Sequence, residues 1–574
     1  MRQENRRHVY VLIAILVVGA ITRVTGVGFG LPNTMTRPDE TLSVSVAMHM
    51  AKSGLHPHCF IYPTLFPSIL LLLYGVHFIL GYASGRFVFV EAFKALYYTD
   101  PSSFYLIARM VGVVSGILTV YLVYVLGKRL YGTSVGLLSA LFLALCPIHV
   151  RNSHFGNVDV PMTCLIVLAL IFILEVYRTG RLRDYLLAGA ISGLATSTKY
   201  PAGILCFSIL MAHLLRGSRP GRTGWRTLIH PYLWTAALGM VGAFFISSPY
   251  ILIDWKGFVN DFRRVTSVLS GEYVGSGYED YGAGWVYHAM FSFRYGLGIA
   301  MEVLAVAGVI WAAWRRKPEE LVVLSLFIYI LLIGGKSVFT RYVIPIVPVV
   351  VIFAAALLLR LGDLLPDRRL RTLVVCGAVA LILAEPVHGI VQFERILLRE
   401  DTRLQAAAWI RAHIPDGSTV ALHGGYYAEP QLPESGDMLR ERLKEQPGPN
   451  RDTYLLEHPV SPRYRLIRLG YFESSRKVRY SWIVLNYDWS TLRERSVEYV
   501  ITQESPRMPF AAVDDRMLEI LKSHATPLAV FDPFAPGVSL RPVYDPIDAF
   551  FVPMAGFSGV ERPGPKITVY RLHR

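Results

Sequence analysis

The chain has 574 residues, of which 53% are hydrophobic and 17% are charged. This composition excludes a soluble globular protein of this size and indicates a polytopic membrane protein. The net charge of +15 does not indicate nucleic-acid binding, because the Lys and Arg residues concentrate in short loops between apolar runs, as they do in cytoplasmic loops of membrane proteins.

The first apolar run covers residues 10–30, which is long enough to cross a bilayer, and a basic N-terminus precedes it. Its length and the lack of a small-residue cleavage site favour an uncleaved anchor over a signal peptide. The positive-inside rule predicts a cytoplasmic N-terminus, so that Asp39 and Glu40 emerge on the extracytoplasmic side. Because no ATP or nucleotide sugar is present there, an enzyme at this surface needs an activated substrate that is already in the membrane.

The later apolar runs predict a polytopic α-helical membrane protein. Threading them with the basic loops in the cytoplasm gives about eleven crossings, at residues 10–30, 104–127, 134–150, 160–177, 186–198, 202–215, 231–253, 285–314, 321–334, 342–361 and 372–390. Residues 64–82 are apolar enough to cross too, but a single crossing there would put Asp39 and Asp159 on opposite faces. They form either a tilted or re-entrant helix or, with residues 86–98, a second passage, so about 11–13 transmembrane helices are expected.

The composition changes after about residue 394, where charge and proline content rise and apolar runs end. Helical periodicity covers residues 401–414 and stops at a Pro-Asp-Gly turn. Short β-like runs follow at residues 419–422, 480–485, 497–501 and 566–572. We therefore expect a transmembrane catalytic module over residues 1–394 and a small extracytoplasmic α/β domain over residues 395–574. This domain has no clustered acid–base set of its own, so we expect it to cap the outer cavity or to guide an acceptor.

The threading brings polar residues from several loops to the outer membrane surface. The carboxylates among them are Asp39, Glu40 and Asp159; the cations are Arg109, Lys199, Lys336 and Arg341; further candidates for sugar or acceptor contacts are Arg37, His58, Tyr62, His154 and Tyr342. Such a mixture suits a site that holds a phosphate with its cations and deprotonates an acceptor with a carboxylate.

Each of these residues also has a purely structural interpretation. Asp39, Glu40 and Asp159 could stabilise the first turns of helices, where the helix dipole favours negative charge. Lysines and arginines at a membrane surface often extend to the interface without any further function. Arg109 lies inside an apolar run, where an ionisable residue is by default a functional candidate.

Four histidines raise the alternative of a divalent metal. His56, His58, His149 and His154 fall in the predicted outer surface together with Asp159, but their spacing matches no known ligand set. The sequence therefore requires no metal or other cofactor and leaves a divalent cation open.

The motif Arg37-Pro38-Asp39-Glu40-Thr41, followed by a loop with histidine and proline, resembles the first outer loop of the GT-C glycosyltransferases. The nearest branch is that of the protein O-mannosyltransferases and lipid A aminoarabinose transferases. The resemblance continues in the same order through further short motifs, which are Arg109, residues 157–161, 198–200 and 248–250, and residues 336–345. Residues 61–64 read Ile-Tyr-Pro-Thr, without the lysine and paired prolines of the aminoarabinose branch, so lipid A is not indicated as the acceptor.

The resemblance implies transfer of a sugar, with inversion, from a polyprenyl-phosphate donor to a lipid, glycan or protein acceptor on the extracytoplasmic face of a plasma membrane of bacterial or archaeal type. Asp39 or Glu40 would then be the general base. The residues alone support this chemistry, since displacing a phosphate from an anomeric carbon needs a base and nearby positive charge. A glycoside hydrolase would need two carboxylates flanking the bond, with water admitted.

Two other functions use similar residues. A transporter or flippase for a lipid-linked sugar or another amphipathic anion also needs charge in the membrane. Transporters are commonly built from internal repeats with charges near the midplane, whereas the sequence shows no repeat and its charges lie at one face. A sugar-polymer ligase or polymerase would use a similar site on a larger donor.

Overall fold

The computed structural model describes residues 2–217, 228–269, 283–334, 338–445, 451–470, 483–484, 487–505, 508, 510–539 and 541–573. They form two compact units. The first consists of Met1–Val27, Leu42–Tyr74 and Leu106–Val391, and the second consists of Gly28–Thr41, Gly75–Tyr105 and Gln392–Arg574. The segment that carries Arg37, Asp39 and Glu40 is therefore part of the unit that contains the C-terminal region. The domain boundary after residue 394 stays a prediction.

The N-terminal two thirds of the chain are almost entirely helical. The helices are α1 Arg2–Val24, α2 Pro38–Met50, α3 Leu65–Ala83, α4 Val90–Thr99, α5 Ser102–Tyr131, α6 Thr133–Ala144, α7 Pro147–Ser153, α8 Asp159–Arg178, α9 Leu182–Thr198, α10 Leu205–Gly217, α11 Pro231–Ser247, α12 Tyr250–Ile253, α13 Trp255–Leu269, α14 Gly284–Tyr287, α15 Arg294–Leu297, α16 Ile299–Arg315, α17 Pro318–Leu324, α18 Ile328–Ile333, α19 Val347–Gly362 and α20 Arg368–Leu397. Short irregular turns of helix at Tyr200–Ile204, His288–Phe293 and Thr340–Ile346 connect some of them.

Among the described residues, seven helices are long and apolar enough to cross a membrane, or nine if each of two bent pairs counts as one span. The prediction of a polytopic α-helical membrane protein is thus confirmed, and the expected number of about 11–13 spans stays a prediction, because this search covers only the described residues. The threading counted α9 and α11 as crossings, and each has only 17 residues. The ambiguous run at residues 64–82 is the continuous apolar helix α3.

Small residues allow the helices of the first unit to approach closely. A Cβ atom on Gly189 or Gly193 of α9 would collide with the carbonyl oxygens of Ala236 and Met240 in α11, and one on Gly308 of α16 would collide with the carbonyl of Phe353 in α19. Close backbone contact of this kind is how transmembrane helices gain packing energy where lipid is as apolar as the side chains.

The C-terminal region is an α/β domain, as predicted. Its elements are α21 Thr402–His413, β1 Thr419–His423, α22 Gly436–Glu445, α23 Arg451–Glu457, β2 Arg465–Leu469, β3 Ile483–Val484, α24 Trp489–Glu494, β4 Tyr499–Glu504, α25 Asp515–His524, β5 Ala525–Phe531 and β6 Lys566–Leu572. The predicted helix and all four predicted strands are confirmed, while β2 and β5 were missed. Of the predicted strand at residues 480–485, only Ile483–Val484 falls within the described residues.

The strands form one six-stranded sheet in the order β3-β2-β1-β4-β6-β5. Strands β1 to β4 pair in parallel and β6 pairs antiparallel with its two neighbours. Alternate residues of β1 face opposite cores: Val420 packs in the cluster that includes Ile410 of α21, and Ala421 packs in the cluster that includes Leu521 of α25. Helices thus cover both faces of the sheet, as expected for parallel strands. Pro527 is accommodated because β5 is an edge strand with an irregular register.

Candidate functional site

Asp159 is the centre of a buried ion cluster in the first unit. It is the first residue of α8, where the helix dipole favours a negative charge. Its side chain is 2% exposed, and one carboxylate oxygen, Oδ1, accepts a hydrogen bond of 2.6 Å from Lys199 Nζ. A carboxylate this deeply buried is stable only when cations and donors compensate the loss of water.

Lys199 reaches Asp159 because α9 ends at Thr198, immediately before Lys199. Its backbone is extended (φ −154°, ψ 128°), and Pro201 two residues later prevents the helix from continuing. The ammonium group lies 4.8 Å from the ring centroid of Tyr342 and 5.7 Å from that of Tyr62. Both distances fit cation–π contacts, so two of the predicted sugar or acceptor contacts surround the cation.

Arg341 adds a second cation to the same carboxylate. Its Nε atom lies 3.9 Å from Oδ2 of Asp159, and its guanidinium stacks 4.5 Å from the ring centroid of Phe339. We call Asp159, Lys199, Arg341, Tyr62 and Tyr342 the Asp159 cluster; its charged members carry one negative and two positive charges. Lys336, the remaining predicted phosphate ligand in this stretch, lies outside the described residues.

Hydroxyl groups connect the loop that carries Tyr62 to the end of α9. The Thr64 backbone N–H and hydroxyl both donate to Ser248 Oγ over 3.1 Å. The Ser248 hydroxyl in turn lies 2.6 Å from that of Ser197, two residues before Lys199. These three buried side chains fix the positions of Lys199 and Tyr62 relative to each other, and the sequence indicated only the Ser248 segment.

Arg37 is the centre of a second ion cluster, in the second unit. It precedes Pro38, the first residue of α2, and has the extended backbone expected before proline (φ −141°, ψ 91°). Its side chain is fully buried. One guanidinium nitrogen, Nη2, lies 3.5 Å from Asp39 Oδ2, and the other, Nη1, donates to Asp548 Oδ1. We call Arg37, Asp39 and Asp548 the Arg37 cluster.

The two neighbouring carboxylates of this motif differ in exposure. The Asp39 side chain is 31% exposed, whereas Glu40 is completely buried. Both lie in the first turn of α2, so the structural interpretation as first-turn acids fits both residues. A position in the first turn is compatible with a catalytic role. Of the two carboxylates, only that of Asp39 is accessible to a reactant in this structure.

His56 and His58 lie together with a third histidine that the sequence analysis did not single out. The ring centroids of His56 and His58 are 3.8 Å apart, and those of His58 and His49 are 5.1 Å apart. The Nε2 atom of His56 is 3.5 Å from Oδ2 of Asp254. Burial, and then the neighbouring His58, lowers the pKa of His56, while Asp254 opposes the shift.

His149 and His154 have backbone and arginine partners in the first unit. His154 contacts the carbonyl oxygens of Val150 and Thr25 at 2.9 and 2.8 Å, and His149 Nδ1 lies 2.9 Å from a guanidinium nitrogen of Arg23. In the described part of the chain, no three His, Cys, Asp or Glu side chains are arranged to hold a metal ion.

Arg109 is fully buried in α5 and donates a 2.8 Å hydrogen bond to the carbonyl of Val27. Its assignment to the donor phosphate stays a prediction. Asp548, by contrast, was missed, because an aspartate in a proline-rich loop carries no signal in the sequence that connects it to a residue 511 positions earlier.

This chain is similar to known proteins in sequence and in fold. Residues 104–251 match the family model of the dolichyl-phosphate-mannose-protein mannosyltransferases. A protein of Aquifex aeolicus with no described function is 34% identical over 108 residues, which are 18% of this chain and 21% of the relative. The alignment thus spans about a fifth of that relative.

The fold is similar to that of a solved membrane transferase. The crystal structure of the Archaeoglobus fulgidus oligosaccharyltransferase in the apo form aligns with a TM-score of 0.50 and 12% identity, covering 86% of this chain and 69% of that one. ArnT from Cupriavidus metallidurans in the apo state aligns with a TM-score of 0.46 and 13% identity, over 99% of this chain and 98% of that one.

Proposed function

We propose that this chain, a member of the GT-C glycosyltransferase superfamily by its fold and by the match over residues 104–251, transfers a sugar from a polyprenyl-phosphate donor to an acceptor outside the cytoplasm. The match over residues 104–251 and the similarity in fold support the resemblance seen in the sequence. The acceptor is a lipid, a glycan or a protein. The family description names a dolichyl-phosphate mannose donor, which makes this compound the first to test.

The Asp159 cluster is the observation that carries this proposal. Asp159 and Lys199 both lie within the matched residues, and with Arg341 they leave an excess of one positive charge in a buried place. A phosphodiester is an anion, and the phosphate that departs from the sugar gains a further negative charge. Lys199 and Arg341 are therefore suited to bind the donor and to stabilise the leaving group more strongly as the reaction proceeds.

Asp39 is the proposed general base. In an inverting transfer the acceptor hydroxyl attacks the anomeric carbon, its proton passes to the carboxylate, and the bond between that carbon and the phosphate oxygen breaks. The accessible carboxylate of Asp39 can receive this proton, whereas Glu40 is completely buried. Asp159 is less suited to the role because its side chain is only 2% exposed and is already paired with Lys199 and Arg341.

Purified full-length protein, incubated with dolichyl-phosphate mannose, tests this function. We expect slow release of dolichyl phosphate and mannose with water as the acceptor, and faster turnover when a membrane extract supplies the natural one. A transporter would move the lipid across a vesicle membrane and leave it chemically unchanged. A polymerase would require a donor with an oligosaccharide. Unchanged donors of every chain length and sugar would contradict the proposal.

The membrane orientation is part of the proposal. We infer a cytoplasmic N-terminus and an extracytoplasmic C-terminal domain in a plasma membrane of bacterial or archaeal type, because the short basic loops alternate with the apolar runs. Single-cysteine variants at Asp39 and Asp254 should react with an impermeant maleimide in intact cells. A cysteine at Arg181, in a short basic loop between α8 and α9, is the matched control and should react only after lysis.

A further inference from the structure

The structure ties the first outer loop to the C-terminal region by several hydrogen bonds, all within the second unit. Asn33 donates to the carbonyl of Glu429 over 3.5 Å, and Gln431 donates to Thr34 over 3.1 Å. The rings of Phe29 and Phe550 pack edge to face with centroids 5.3 Å apart. The segment that leads into the motif with Asp39 is therefore held by residues that follow it by several hundred positions.

One part of this attachment is a buried loop that carries Asp548. Its ends are bridged at Val543 and Ala555, where the backbone N–H of Val543 donates to the carbonyl of Ala555 over 2.9 Å. Phe550 and Phe551 are both 1% exposed, which anchors the loop in the interior of the unit. A loop held at its ends and by two aromatic side chains presents Asp548 in one fixed position.

Asp548 and Asp39 share one guanidinium. Arg37 offers one terminal nitrogen to each carboxylate, and because it is buried, water screens this interaction less than at an exposed site. Because the guanidinium is planar and rigid, the carboxylate on one side determines where the other side points. The Asp39 side chain itself remains partly exposed.

We propose that Asp548 is a positioning residue for the reaction: it fixes Arg37, and through Arg37 it sets the orientation and the charge of Asp39. The inference rests on the proposed function, in which Asp39 accepts a proton. It gives the C-terminal region a role beyond capping the cavity or guiding an acceptor. It also explains why the motif has an arginine immediately before Pro-Asp-Glu.

The charges predict a specific kinetic consequence. When Asp548 is neutralised, more of the positive charge of Arg37 acts on Asp39, which stabilises the ionised form of Asp39 and makes it a weaker base. The acidic limb of the pH–rate profile should then move to lower pH, while kcat falls because the base is weaker and less well oriented. A merely structural residue would lower the amount of active protein without moving this limb.

Asp548→Asn in the full-length protein tests the inference, with release of dolichyl phosphate from dolichyl-phosphate mannose as the assay. We expect kcat to fall by about a hundredfold with little change in KM, and Asp548→Glu, which retains the charge, to restore most of the activity. Asp545→Asn is the matched control in the same loop: the amide oxygen can still accept the hydrogen bond that Asp545 accepts from the Ile547 backbone. Its pH profile should match that of the wild type.

A second measurement does not depend on activity. Hydrogen–deuterium exchange of peptides covering residues 28–41 should be faster in Asp548→Asn than in the wild type and in Asp545→Asn. The positioning role would be overturned if, in Asp548→Asn, both the acidic limb of the pH–rate profile and the hydrogen–deuterium exchange of residues 28–41 matched those of the wild type. If the wild-type protein leaves donors of every chain length and sugar unchanged, the proposed function is wrong, and the exchange measurement still decides whether Asp548 orders this loop.

Discussion

The Asp159 cluster and the Arg37 cluster combine the same charged groups in opposite proportions. One buried carboxylate faces two cations in the first, whereas one buried arginine faces two carboxylates in the second. A cluster with an excess of positive charge is suited to binding an anion, whereas a cluster with an excess of negative charge is suited to accepting a proton. In the function proposed above, phosphate binding and proton transfer therefore belong to different elements of the chain, each with its own electrostatic balance.

The clusters also differ in how much of the reacting group is accessible. Asp159 is almost completely buried, whereas nearly a third of the Asp39 side chain is exposed. A carboxylate that neutralises cations gains from exclusion of water, because the attraction is stronger at low dielectric. A base must instead be reached by the acceptor. The predictions below test this division of roles, from the largest expected effect to the smallest.

Asp39→Asn should have the largest effect on turnover. Removing a general base typically lowers the rate by a factor of about 100 to 10,000, and the amide retains the shape of the side chain. Expression and thermal stability should remain close to those of the wild type, because the side chain is partly exposed. Turnover of dolichyl-phosphate mannose measures the effect, and Glu40→Gln serves as the comparison. Near-wild-type turnover in Asp39→Asn would move the base elsewhere, with Asp159 the next candidate.

Lys199→Met should weaken both stability and donor binding. Removing one partner of a buried ion pair typically costs about 3–5 kcal/mol, and Arg341 offsets part of that loss because it still faces Asp159. In the double variant Lys199→Met/Asp159→Asn, Arg341 remains as the one charged member of the cluster, so donor affinity should stay below that of the wild type. If the double variant bound a polyprenyl phosphate as tightly as the wild type, Lys199 would have only a structural role.

Arg341→Lys should lower donor affinity by about tenfold, less than Arg341→Ala. An ammonium cannot form the flat, paired hydrogen bonds with which a guanidinium binds a phosphate. Arg294→Lys is the matched control, since Arg294 pairs with Glu385 near the surface and has no proposed role. Calorimetric titration with a short-chain polyprenyl phosphate measures the difference. Equal affinities for the wild type and both Arg341 variants would remove this residue from the phosphate site.

The smallest expected effect is on the stability of the second unit in acid. Burial lowers the pKa of His423, although Asp514 and the carbonyl of Leu469 favour its charged form. A depressed histidine pKa means that the folded state prefers the neutral ring. Stability should therefore be complete above about pH 6.5 and decline as the pH falls below it, by at most about 1.4 kcal/mol per pH unit.

His423→Gln tests this effect, because glutamine can donate and accept hydrogen bonds but does not titrate. Thermal unfolding of the full-length protein between pH 7.5 and 5 should depend less on pH in this variant than in the wild type. His458→Gln provides a control, since His458 is exposed and contacts only its own helix turn in the described structure. An unchanged pH dependence in His423→Gln would show that other groups control the acid response.

Local patterns in the sequence determined the class of protein and many of its elements. Apolar runs of membrane length predicted the helical first unit, and alternation of short apolar stretches predicted β1 and β6, because a helix and a strand each impose a fixed period on their buried residues. The Asp-Glu pair after Arg37 and Pro38 identified the motif of the candidate base. These signals depend on residues that are close together in the chain.

Only the tertiary structure decided which charged groups are partners. Lys199 meets Asp159 across 40 positions, and Arg37 meets Asp548 across 511. No periodicity encodes such pairs, because they depend on how complete helices and loops pack and on which side chains that packing removes from water. Burial then makes these contacts strong, since an ion in a low-dielectric interior must find a counter-charge. The same burial separates Asp39 from Glu40, two neighbours that the sequence presented as equivalent.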